Sequence, residues 1–96
     1  MAWLQVEVRP GAGVVGYSLF VDGVPVTMGA DHRGEARCDG RCGDGSRHAV
    51  LYSFHGSAGA TLSIALRCRG REVCRVPAAR IAEGAGRGAG RVPFDL

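Results

Sequence analysis

Lysine is missing from this chain, and aromatic residues make up only 6% of it. All twelve basic side chains are therefore arginine, whose planar fork of donors suits carboxylates and phosphates. No aromatic interleaves with the clustered arginines, which counts against a base-stacking platform for single-stranded nucleic acid. Long apolar runs are absent too: nothing approaches the ~18 residues of a membrane-spanning helix. The opening Met1-Ala-Trp-Leu-Gln-Val-Glu7 has neither a basic start nor a long apolar region. No export signal is expected from it, and the expected location is cytoplasmic.

Strings that carry known chemistry are also missing. His55-Gly-Ser57-Ala-Gly59 is not G-x-S-x-G, and no glycine-rich phosphate loop leads from a strand into a helix. Asp39 and Asp44 lack the spacing of a calcium loop. A catalytic role would need a pocket joining His32, His48 or His55 to a cysteine, so the expectation is that this is not an enzyme.

Glycine is abundant, at 16 residues. Together with frequent valine it points to short strands joined by tight turns. Apolar residues recur with period two: Leu4, Val6 and Val8; then Val15, Tyr17, Leu19 and Val21; then His48, Val50, Tyr52 and Phe54; then Leu62, Ile64, Leu66 and Cys68. Asp22-Gly23 between two valines is a hairpin signal, and Pro25 marks its return strand as an edge. The spacing predicts an all-β fold, an immunoglobulin-like antiparallel sandwich first and a small β-barrel second.

The expected domain spans residues 1–83, with a long Gly/Asp/Cys loop over 29–47 where periodicity fails. Pro77 to Glu83 reads as one or two helical turns. Residues 84–96 read as a Gly/Arg linker followed by a short apolar tail.

Four cysteines fall as C-x3-C and C-x5-C, neither of which is the C-x2-C knuckle of a zinc ribbon. Cys68 and Cys74 continue an apolar face and should point inward. A three-residue turn between them permits a disulfide, whereas a two-residue turn leaves two buried thiols. Cys38 and Cys42 should lie exposed on a mobile loop. No cofactor is expected. A zinc-stabilised domain held by Cys38, Cys42, Cys68 and Cys74 is the alternative, with His32 and His48 able to complete a Cys2His2 set, and it would contact nucleic acid.

The net charge is +3, too small alone to imply nucleic acid. It is unevenly spread, because Arg67, Arg69, Arg71, Arg75 and Arg80 crowd one segment against Glu72 alone. Arg67, Arg69, Arg71 and Arg75 are the expected binding residues of a small protein-binding or adaptor module. Its expected partner is a larger protein with an acidic surface.

Overall fold

The computed structural model describes residues 1–96 as eight antiparallel strands, with no helix. These are β1 (Ala2–Pro10), β2 (Val14–Val21), β3 (Val24–Pro25), β4 (Arg33–Cys38), β5 (Arg47–Gly56), β6 (Thr61–Cys68), β7 (Arg71–Arg80) and β8 (Arg87–Asp95). They build two four-stranded sheets, one ordered β4-β1-β6-β7 and the other β3-β2-β5-β8. The expected two-sheet sandwich is present, and the barrel is not.

Alternation explains the packing. Leu4, Val6 and Val8 of β1 face Leu62, Ile64 and Leu66 of the neighbouring strand on one inner surface. Leu19, Val21, Val50 and Phe54 supply the opposing sheet. Ordering so small a chain is offset by the burial of these side chains, each contributing roughly 1.5–3 kcal/mol. His48 is the only polar residue among the buried ones.

Four expectations are corrected. First, residues 29–47 are not one loop, because β4 occupies six of them and pairs with β1 from Ala2↔Cys38 to Glu7↔Arg33. Only the small residues Ala36 and Cys38 point fully inward from β4, so its period was too faint to read. Second, Pro77 to Glu83 makes no helical turn. β7 runs on to Arg80, and as an edge strand it tolerates a proline that donates no hydrogen bond.

Third, residues 84–96 are neither linker nor tail. β8 pairs with β5 along nine registered positions, Arg47↔Asp95 to His55↔Arg87. Its glycines lie under rings: a Cβ on Gly88 would sit 2.7 Å from Phe54 Cε1, and one on Gly90 would collide with the Tyr52 hydroxyl. What resembles a flexible repeat is a strand made small to receive aromatics. Fourth, a bulge between Val14 and Gly16 shifts the register, so Val15 is exposed and Val14 packs toward the core.

Candidate functional site

The hairpin β6–β7 turns through Arg69-Gly70, both with positive φ (52° and 80°), as a two-residue type I′ turn requires. That tight turn divides the expected arginine quartet. Arg67 and Arg75 project from the outer face of the β4-β1-β6-β7 sheet, while Arg69 and Arg71 occupy the hairpin end.

Registration brings other arginines to the same outer face. Gln5 lies opposite Arg67 and Glu35, Glu7 opposite Arg33 and Ala65, and Ala65 opposite Arg75. Arg9 and Arg37 complete the set. Five arginines, Arg9, Arg33, Arg37, Arg67 and Arg75, thus meet three carboxylates, Glu7, Glu35 and Glu72, for a net of +2.

Glu7 is the centre of this face. Arg9 Nε donates to it at 3.0 Å, and Arg67 Nη1 lies 3.6 Å away. The Arg9 hydrogen bond holds the Glu7 carboxyl below its usual range against partial desolvation, with attraction from Arg9, Arg33 and Arg67 adding to it. Arg75 makes a 2.5 Å contact with Glu72 that likewise lowers that carboxyl. At the rim, the Arg37 guanidinium stacks 4.8 Å above the exposed ring of Trp3, its cross-strand partner. Sequence spacing missed Arg9, Arg33 and Arg37, because strands distant in the chain bring them together.

The cysteines are not arranged as expected. Cys42 and Cys68 form a disulfide with their Cα atoms 5.8 Å apart, which removes the four-cysteine zinc set. Cys38 and Cys74 are free thiols, and both are buried. Burial pushes the Cys38 thiol up, with Asp22, Asp39 and Asp44 adding to the effect; burial and then Glu72 push Cys74 up. Cys38 is therefore not the exposed loop thiol that was expected, because it ends β4 on the inward side.

Residues 39–46 are likewise anchored. The disulfide holds Cys42, and backbone hydrogen bonds join Gly45 N to Leu96 O and Leu96 N to Ser46 O, each at 3.0 Å. Asp44 accepts from Arg41 N (2.8 Å), Ser46 N (2.9 Å) and the Ser46 hydroxyl (2.6 Å). These bonds, the hydroxyl first, lower the Asp44 carboxyl to about 2. A depressed carboxylate stabilises the folded loop fully above its ordinary range, and that support is lost as pH falls through about 2. The Ser46 amide proton should therefore shift in an NMR titration with a midpoint near 2. A midpoint at an unperturbed carboxylate value would mean that these bonds do not form in solution.

The same loop completes a polar chain that sequence reading missed. His48 Nδ1 lies 2.5 Å from Asp22 Oδ2, and His48 Nε2 lies 2.8 Å from Ser46 Oγ. Asp22 is the first residue of the β2–β3 turn, at φ 50°, and its other carboxylate oxygen accepts from Ala49 N at 3.0 Å. Desolvation opposes ionisation of Asp22, but the His48 and Ala49 hydrogen bonds prevail and its carboxyl is lowered. The only sequence signal was a histidine at the start of an inward-facing set, two residues after a serine.

Ser46, His48 and Asp22 stand at the spacings of a nucleophile, base and orienting carboxylate. Their proton placement does not suit that chemistry. Ser46 has one hydroxyl proton, and the shorter, charge-assisted contact to Asp44 takes it. Nε2 must then donate to Ser46 rather than accept from it. Surface depressions lie elsewhere: the widest of them over Tyr17, Ser53, His55 and Arg87, and others over Gln5, Glu7, Arg33 and Arg67 and over Met1, Trp3, Arg41 and Arg69. His32 bonds Tyr17 at 2.7 Å and His55 packs over Gly16, so His48 alone is grouped with a thiol, that of Cys38.

No helix is long and apolar enough to cross a membrane. No protein-family model, no curated protein and no solved structure matches this chain.

Proposed function

We propose that this protein is a small non-enzymatic binding module that engages an acidic protein surface through the outer face of the β4-β1-β6-β7 sheet. The observation that supports this reading is the convergence of Arg9, Arg33, Arg37, Arg67 and Arg75 on one pleated surface. Strand backbones fix the spacing of these side chains, so less ordering is needed when a row of carboxylates docks. Arg69 and Arg71 extend the positive charge past the hairpin end, where they make no ion pair. The Glu72 contact is exposed and the Glu7 contacts lie at a partly open surface, so each contributes little, and a partner's carboxylates compete for these arginines at small cost. The Cys42–Cys68 disulfide favours an oxidising compartment over the cytoplasmic location expected from sequence.

Poly-L-glutamate is a defined probe for this surface. Binding should weaken several-fold in an Arg33→Gln/Arg67→Gln double variant and fall again as salt rises from low to moderate strength. An Arg87→Gln/Arg91→Gln control on the other sheet should bind like the wild type. Equal losses in both variants would reduce the effect to net charge and sink the reading. Preference for a single-stranded oligonucleotide of matched charge would replace it with nucleic-acid binding.

A further inference from the structure

The grouping of Asp22, Cys38 and His48 lies at the end of the sandwich where the β2–β3 turn, the end of β4 and the start of β5 meet. Their candidate donor atoms all lie within 4.8 Å of one another. Each is held by a different element, so the cluster is a product of the fold and not of local sequence. Cys38 is 5% exposed, and its thiol is free of any disulfide. His48 is equally enclosed, and Asp22 opens the cluster to solvent, its side chain 38% exposed.

We propose that Asp22, Cys38 and His48 form a binding site for a divalent ion of the zinc type, bound by one oxygen, one sulfur and one nitrogen, with water in the fourth position.

The donor set suits such an ion, which accepts carboxylate, imidazole and thiolate in tetrahedral geometry. Bond lengths of ~2.0–2.3 Å put tetrahedral ligand atoms roughly 3.3–3.8 Å apart. The Asp22–His48 contact must therefore open by about 1 Å, and the sulfur, no more than 4.8 Å from either partner, draw in by at most about 1.5 Å. Side-chain rotation in a turn aspartate and a strand-end cysteine can supply that movement.

The surroundings are those of a supported metal ligand. A ligating imidazole commonly donates its second N–H to an acceptor that fixes the ring. Here Nε2 donates to Ser46, which is held in turn by Asp44. The free oxygen of Asp22 is held by the Ala49 amide.

Charge also balances. With Nε2 turned to Ser46, Nδ1 is the ring nitrogen that faces Asp22 and the proposed ion. Binding of M2+ releases the thiol proton, and any proton on Nδ1, to solvent. Carboxylate, neutral imidazole, thiolate and a dication sum to zero, so a largely buried place takes up the ion without acquiring net charge. The ion's own charge reverses the effect of the three nearby carboxylates on the Cys38 sulfur.

Cobalt(II) is the probe, added to the disulfide-intact protein, whose only thiols are Cys38 and Cys74. One equivalent should give a sulfur-to-cobalt charge-transfer band, displaced by zinc. The band should vanish in Cys38→Ser and fall at least tenfold in intensity at one equivalent in His48→Gln, while Cys74→Ser keeps it. Zinc should also raise the Tm of the wild type and of Cys74→Ser, but not of Cys38→Ser. Absence of the band in the wild type, or its survival in Cys38→Ser, would overturn the site and leave the cluster a hydrogen-bonded clamp.

Discussion

Replacing Phe54 by alanine should destabilise the protein by about 3–5 kcal/mol, read as a shift in the denaturant midpoint at constant slope. Phe54 is 2% exposed and is the largest of the fully buried side chains. Its ring contacts the inner surface of its own sheet and lies over Gly88, its cross-strand partner in β8. Truncation therefore leaves a cavity with a bare glycine as one wall, which neighbouring side chains cannot fill. The complementary change, Gly88→Ala, should also destabilise, because the added methyl meets the ring at 2.7 Å. If Phe54→Ala cost under about 1 kcal/mol, β8 would not pack as described.

Removal of the Cys42–Cys68 bridge, through a double serine variant, should cost about 3.5 kcal/mol. The bridge closes a loop across 26 residues of sequence, and loop-closure entropy in the unfolded chain sets that magnitude. In a domain whose whole stability is roughly 5–15 kcal/mol, such a loss lowers the melting temperature by many degrees. It also frees residues 39–46 at one of their anchors, so amide exchange there should quicken more than in the strands. An unchanged melting temperature in the double variant would show that the bridge does not constrain the unfolded chain.

Strands with large inward residues were legible from alternation alone. Leu4, Val6, Val8, Leu62, Ile64 and Leu66 announce β1 and β6, and Asp22-Gly23 announces the first hairpin. β4 was not legible, because Ala36 and Cys38 are weak apolar markers and Gly34, on the same side before them, carries no side chain. β8 resembles a linker for the opposite reason, since its glycines carry meaning only beside Tyr52 and Phe54, more than thirty residues earlier. Arg67 and Arg75 were visible in the hairpin, but the sheet order that adds Arg9, Arg33 and Arg37 was not. The Asp22–His48 pairing spans 26 residues, and no local pattern encodes it. What sequence conveys here is which side of a strand a residue faces; which strand lies beside it is decided by topology.

The strand order also governs how the protein reaches its shape. In chain order the strands fall into the first sheet, the second twice, the first, the second, the first twice and the second again. Neither sheet can be assembled from a contiguous stretch, and β5 waits for β8 across the whole β6–β7 hairpin. Loop closures of this kind must precede the contacts that reward them, which makes folding slow and all-or-none. Until β8 docks, a nascent chain exposes the free edge of β5 with Tyr52 and Phe54 uncovered. During synthesis that half-built sheet is the species most open to chaperone capture or to edge-to-edge association with another copy.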